Sequence, residues 1–209
     1  MEVKIQYIFH TLEKIPPQVL PRNIITLDQI LNEYGRKSEK KFPANSLVVA
    51  FVPLLFQSLP AVGIANITDT GNTLRTGTTA GYSACPTSAE VGLFGIFLGT
   101  GTIAVALADY KLNIPIAHGA GAGQLSYGAY ATAANMLYFP AITNGSTNSW
   151  SLLRIISNLD TSNLEAKEAG LVIRHATFNF LVERTVLSPT YNFLAKTSVM
   201  VEYKASITV

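Results

Sequence analysis

The chain has 209 residues, a formal net charge of +2 and 13% charged side chains, about half the roughly 25% of ordinary soluble domains. That length fits one domain, with or without an N-terminal extension, and suffices to bury a core without help from metal or disulfide. The single cysteine, Cys85, excludes an intrachain disulfide and a cysteine metal set, and the broad basic face that a nucleic-acid partner would need is missing.

The charges are unevenly placed. Between Ser46 and Leu153 only Asp69, Arg75, Glu90, Asp109 and Lys111 are ionised, so the two flanks hold 23 of the 28 charges. A stretch this long with so few charges does not have the surface of a freely solvated protein. Lipid, a ligand or copies of the chain are expected to cover much of it.

Residues 1–43 read as an N-terminal arm with a short helix, and residues 44–209 as the main domain. Met1–Lys14 carries Glu2, Lys4, Glu13 and Lys14 and lacks the apolar core of a secretory signal. Val3–Phe9 alternates weakly and reads as a strand that pairs with something else, in an assembly the sheet of a neighbouring subunit. Pro16, Pro17 and Pro21 interrupt regular structure. Thr26–Tyr34 reads as a short helix: Thr26 caps it, Asp28 suits the first turn, Leu27, Ile30, Leu31 and Tyr34 share a face, and Gly35 ends it. Arg36, Lys37, Lys40 and Lys41, interrupted by Glu39, form the densest basic cluster and read as a solvated helix end or linker. Ala44–Leu59 is a second helix candidate, capped by Asn45 or Ser46, with Leu47, Phe51, Leu54, Leu55 and Leu59 at helical spacing and Pro53 kinking or splitting it.

From Ala61 onward the pattern is sheet-like. Asp69-Thr70-Gly71-Asn72 is a turn, and Arg75–Thr87 is a small-residue loop holding Cys85, a buried or incidental thiol with no base beside it. Val91–Ala108 is long and uncharged enough to span a membrane as a helix. Its four glycines, Gly92, Gly95, Gly99 and Gly101, weaken that reading. Val91, Ile96, Phe97, Ile103 and Val105 favour two apolar strands about a Gly-Thr-Gly-Thr turn. Leu112–Tyr127, with Gly and Ala alternating over 119–123, reads as a loop or a closely packed edge.

Trp150–Ser157, Ala166–Arg174, Phe178–Leu187 and Thr197–Val209 read as strands, with turns at Asn158–Asn163 and Ser188-Pro189. The last alternates most strictly. Val199, Val201, Tyr203, Ala205, Ile207 and Val209 point one way, and Met200, Glu202, Lys204, Ser206 and Thr208 the other, as in a half-buried antiparallel strand. Four successive strands with short turns imply a meander. With the upstream strands they predict a mainly β chain, an antiparallel β-sandwich of jelly-roll or immunoglobulin-like type.

Chemistry-bearing residues are scattered. Asp69, Glu90 and Asp109 each stand alone, without the converging carboxylate pair that glycoside hydrolysis needs; Asp109 is expected to cap a turn. His10, His118 and His175 lack metal-ligand spacing, and His118 is expected to be satisfied by backbone carbonyls. No Gly-x-Ser-x-Gly elbow occurs, and Gly99-Thr-Gly101 and Gly119–Gly123 lack the setting of a phosphate or dinucleotide loop. The sequons at Asn66-Ile67-Thr68 and Asn144-Gly145-Ser146 are expected by chance in a chain this rich in Asn, Thr and Ser. Trp150, Tyr127, Tyr130, Tyr138 and Phe139 are expected to pack in the core or an interface, since acidic partners for sugar hydroxyls are missing nearby. No catalytic, metal or cofactor-binding residue is assigned, and no cofactor is expected.

Val91-Gly-Leu-Phe-Gly-Ile-Phe-Leu-Gly-Thr-Gly-Thr102, followed by Asp109-Tyr110, Leu112, Ile116, His118-Gly119 and Gly123-Gln-Leu-Ser-Tyr127, resembles a pattern in structural proteins of tailed bacterial and archaeal viruses. Leu152-Leu-Arg154 through Asn158, Glu168-Ala-Gly-Leu171, Glu183-Arg-Thr-Val-Leu-Ser-Pro189 and the closing alternating strand follow the same order, as does the helix candidate at Asn45–Leu59 before Asp69-Thr70-Gly71. The resemblance covers about residues 40–209. It implies a virion component (capsid, decoration or tail) and transfers no catalytic residue. The expectation is a self-assembling virion protein that partners copies of itself and other virion proteins. It would have no specific nucleic acid and no membrane span, would be assembled in the host cytoplasm, and would not be an enzyme. The alternative is a receptor- or glycan-binding fibre or adhesin module; a membrane protein using Val91–Ala108 is a third reading.

Overall fold

The computed structural model describes residues 2–16, 19–20, 27–44, 64–77, 83–84, 95–130, 137–175 and 178–208. They form strands β1 (Glu2–Leu12) and β2 (Val19–Leu20), helix α1 (Leu27–Tyr34), and strands β3 (Arg36–Pro43), β4 (Ile64–Thr68), β5 (Leu74–Gly77), β6 (Ser83–Ala84), β7 (Gly95–Gly99), β8 (Ser126–Tyr127), β9 (Ala129–Tyr130), β10 (Leu137–Asn144), β11 (Thr147–Asn158), β12 (Leu164–His175), β13 (Phe178–Phe193) and β14 (Thr197–Thr208). The chain is mainly β and antiparallel, as expected. Two open sheets pack as a sandwich and do not close into a barrel. The first runs β10-β11-β14-β1-β3, with β8 beside β11; the second runs β13-β12, with β6 and β7 both on β12.

Side-chain alternation sets the layers. Tyr7 and Phe9 of β1, Val199, Val201 and Tyr203 of β14, and Leu152 and Ile156 of β11 point from the first sheet into the inter-sheet core. Phe9 stacks there on Tyr191 and Phe193 of β13, with ring centroids 4.5 and 6.3 Å away. The opposite face of the first sheet is also covered. Ile30 and Tyr34 of α1 pack with Leu12, Leu153, Ile155 and Met200, and Leu27 and Leu31 flank them. That is the helix face expected from the sequence, closed by Gly35 at φ +70° with its N–H on Leu31 O. Covering both faces explains why Met200 and Glu202 are as buried as their odd-numbered neighbours, so β14 is buried on both sides over 199–203.

Several expectations are corrected. The strand at Val3–Phe9 forms, but its partners are its own chain: β1 lies between β14 and β3, with Tyr7 opposite Tyr203 and Phe42. Hydrophobic alternation identified the strand but carried no information about which strand it joins. The basic cluster at 36–41 is an edge strand rather than a helix end or linker, because pairing with β1 supplies its hydrogen bonds. The four C-terminal strands do not form a meander. β11 pairs with β14, whereas β12 and β13 form a hairpin in the other layer. The expected turn at Ser188-Pro189 lies inside β13, an edge strand, where a residue without an N–H is tolerated. The helix candidate at Ala44–Leu59 lies outside the described residues beyond Ala44.

Asn158 governs the β11–β12 and β13–β14 crossings between layers. Its fully buried side chain donates from Nδ2 to the carbonyls of Ser162 (2.8 Å), Phe193 and Leu194 (both 3.2 Å) and accepts the Asp160 amide at Oδ1 (3.1 Å). One side chain thereby ties the β11–β12 turn to the β13–β14 turn. Asn158→Ala is expected to cost about 2–3 kcal/mol, because buried carbonyls lose their donor. A lower denaturant midpoint at unchanged slope would show it.

Candidate functional site

The segment after β7 breaks with expectation most clearly. One strand, Gly95–Gly99, forms where two were predicted, and residues 100–124 run as an irregular loop carrying isolated bridges. This loop lies on the outer face of the second sheet. Glu183 of β13 points inward to Tyr7, so its neighbour Arg184 points outward.

Arg184 and Glu168 hold the loop. Arg184 is 1% exposed and Glu168 is fully buried. Arg184 donates from Nε to Glu168 Oε2 (2.7 Å), from Nη1 to Asp109 Oδ2 (2.7 Å) and from Nη2 to the Ile103 carbonyl (2.9 Å). Glu168 accepts the backbone amides of Gly101 (3.2 Å), Asn113 (3.1 Å) and Ile114 (2.8 Å). Asp109 also accepts the Ala106 amide at 2.9 Å, the turn-capping role expected of it. A buried ion pair is stabilising only when further hydrogen bonds replace lost hydration, and here three loop amides and one loop carbonyl replace it.

Two local features permit this contact. Gly99 and Gly101 leave room for the carboxylate: a Cβ on Gly101 would sit 2.6 Å from Glu168 Oε1, and one on Gly99 would sit 2.6 Å from the Ile114 carbonyl. The register shifts between Ala166 and Glu168, where two steps on β12 face five on β13, and the facing of β12 changes there. Ala166 pairs with Tyr191 on the core side; without the shift Glu168 would share that side. Leu112 then packs over Gly170, where a Cβ would meet it at 2.7 Å.

The far end of the loop is anchored on Tyr127 and Arg154. Arg154 donates to the Ile96 carbonyl (3.1 Å), and its guanidinium lies 5.0 and 4.8 Å from the ring centres of Phe97 and Tyr127. The Tyr127 hydroxyl donates to the Ile116 carbonyl (3.1 Å), with the Leu98 carbonyl 3.3 Å away, and accepts the Leu98 amide (3.4 Å). Burial pushes its pKa up to about 12, against the Leu98 amide and the Arg154 charge. His118 Nδ1 accepts the Tyr127 amide at 3.1 Å, so a backbone amide rather than the expected carbonyls satisfies it. Burial first, and the Arg154 charge second, hold its pKa below the usual histidine value.

Much of what the loop shows to solvent is apolar, beside the exposed Thr102, Asn113 and His118. Ile103, Leu107 and Ile114 are 63%, 67% and 54% exposed. Ala104, Ala106, Ala108, Pro115 and Ala117 lie exposed among them, with Lys111 the exposed charge. Asp109 is turned toward Arg184.

Other sequence candidates lie elsewhere. Asp69 caps the β4–β5 turn, accepting the amides of Gly71 and Thr73 and pairing with Arg75 (2.6 Å). Burial alone would raise its carboxyl; the Thr73 amide and Arg75 outweigh that and hold it below the usual range. His10 lies buried on the outer face of the first sheet between Glu202 (3.3 Å) and Glu39 (3.4 Å), and Glu202 also accepts Ser151 (2.5 Å). Cys85 and Glu90 fall outside the described residues, as do the side chains of His175, Trp150, Tyr130, Tyr138 and Phe139. Tyr127 is a core residue. Among the described residues no group of three His, Cys, Asp or Glu is arranged for a metal, and no helix is long and apolar enough to cross a membrane. Sequence reasoning missed Glu168, Arg184 and Glu183; the signal available was an ionisable residue inside an otherwise apolar strand.

Glu183 is fully buried between the sheets. It accepts the Tyr7 hydroxyl at Oε2, near Tyr203, while Oε1 has no hydrogen-bond partner among the described residues. Burial raises its pKa to about 8, and the Tyr7 hydrogen bond offsets part of that. A carboxyl whose folded pKa exceeds its unfolded value binds its proton more tightly when folded. Its stabilisation is complete below about pH 4.5 and is lost as pH rises toward 8. Glu183→Gln is therefore expected to equal the wild type in acid and to exceed it in melting temperature by several degrees at pH 9; parallel melting curves at both pH values check this.

Removing the arginine strands two carboxylates. Arg184→Met is expected to cost about 3–5 kcal/mol and Gly101→Ala about 1–3 kcal/mol. In both variants trypsin should cut after Lys111 well before the sandwich unfolds, whereas the wild type resists; a digestion time course read by mass spectrometry distinguishes them.

No family model matches the chain, and no curated protein and no solved structure matches it.

Proposed function

We propose that this chain is a structural component of a virion and assembles by burying its charge-poor surface against copies of itself. One observation carries the reading: an apolar loop with Ile103, Leu107 and Ile114 outward, held in a single geometry by a buried ionic network. An apolar surface that is rigid before contact loses little conformational entropy on docking. Burying each of the three side chains contributes roughly 2 kcal/mol gross, and an obligate interface of about 2,000 Å² or more gathers many such terms.

The resemblance to virion proteins supports the same reading in a specific way. Gly99, Gly101, Asp109, Leu112, Ile116, His118 and Tyr127 build the loop, and Glu168, Gly170 and Arg184 hold it. These residues are spread over some 85 positions of sequence, yet they meet in one place.

The test compares wild type with Ile103→Ser/Leu107→Ser/Ile114→Ser, using light scattering and negative-stain images of the same samples. Wild type should form discrete rings, shells or tubes, and the triple variant should remain monomeric with an unchanged unfolding transition. A wild-type chain that stays monomeric at high concentration would rule the proposal out.

A further inference from the structure

We propose that the open edge of β3 takes an extended acidic segment of a partner protein, which adds to the first sheet as a further strand. Among the described residues β3 ends the strand order β10-β11-β14-β1-β3 and has β1 as its one paired neighbour. Arg36–Lys41 are exposed, and of the eight residues only Phe42 is buried. An edge strand presents unpaired N–H and C=O groups along its length, here over about 27 Å at the usual rise per residue.

The charge on this edge is out of proportion to the rest of the molecule. Arg36, Lys37, Lys40 and Lys41 against Glu39 give +3 (4 − 1), whereas the whole chain carries +2, so all remaining residues sum to −1. Glu39 is already shared by Arg36 (3.0 Å) and Lys41 (3.0 Å), so it offsets one of the four cations and leaves the edge net basic. Since residues alternate along a strand, cations flank the edge on both faces of the sheet. A second copy's β3 would bring a further +3 alongside, so like charge disfavours pairing of two such edges. An acidic strand meets both requirements at once, main-chain bonds for affinity and opposite charge for selection.

The edge suits a peptide better than a nucleic acid. Phe42 is buried, and Lys40 Nζ lies 5.6 Å from the Tyr191 ring centre, so β3 offers no free ring face for a base to stack on. This inference does not depend on self-assembly, since the apolar loop lies on the other sheet.

A fluorescent eight-residue peptide of alternating Glu and Val, titrated into the full-length protein at low ionic strength and followed by anisotropy, tests it. The expected result is saturable binding that weakens with salt, disappears when the peptide amides are N-methylated, and falls at least about tenfold in Lys37→Glu/Lys40→Glu. Hydrogen exchange should slow along residues 36–42 in the wild-type complex, which keeps the test decisive if the variant folds poorly. The proposal is overturned by absence of saturable binding, by equal binding of the N-methylated peptide or of a Lys–Val peptide, or by tighter binding of an oligothymidylate of equal charge.

Discussion

A carboxylate withdrawn from water must find fixed donors, and the outer half of this molecule is organised around that requirement at Glu168. Its donors are the Arg184 guanidinium and three amides of a loop that has almost no regular structure of its own. Dependence runs both ways. The loop has no ladder to satisfy its backbone, so the carboxylate and Arg184 take that role; Glu168 could not stay buried without the loop. Gly99, Gly101, the register shift before Glu168 and the turn at Asp109 are all conditions for that contact.

The same economy appears elsewhere: a few buried polar side chains sit where layers meet. Asn158 joins the β11–β12 and β13–β14 turns, which carry the chain between sheets. Glu183 links the second sheet to Tyr7 at the centre of the first. Arg154 fills the space between Phe97 and Tyr127 where the loop returns to the sandwich. Apolar packing would hold these layers together with little preference for register, whereas each polar contact is directional and admits one arrangement. With the network carrying the loop, the apolar side chains of Ile103, Leu107 and Ile114 are free to face outward.

Much of the local structure was legible from the residues. Alternation in Thr197–Val209 identified β14, the spacing of Leu27, Ile30, Leu31 and Tyr34 identified α1 and its buried face, and Asp69-Thr70-Gly71-Asn72 identified a turn. The scarcity of charge between Ser46 and Leu153 pointed to a surface unlike that of a freely solvated domain, and the exposed apolar side chains of the loop lie within that stretch. Less visible was Val91–Ala108, where β-favouring residues suggested a second strand. Ile103 and Val105 have strand propensity, but the Ile103 carbonyl accepts Arg184 and the Ala106 amide is taken by Asp109, groups that a ladder would have used.

The sequence by itself determined the elements whose cause is local: strand and helix periodicity, turn chemistry, and the charge deficit that sets the surface character. Tertiary structure alone decided which strands are neighbours, so that Val3–Phe9 became an inner strand and the C-terminal strands divided between two layers. It also decided that Asp109, Glu168 and Arg184, 75 positions apart at the extremes, share one site. The reason is range. Periodicity is imposed by residues a few positions apart, whereas pairing and buried ion networks depend on distances that exist only once the chain has closed on itself.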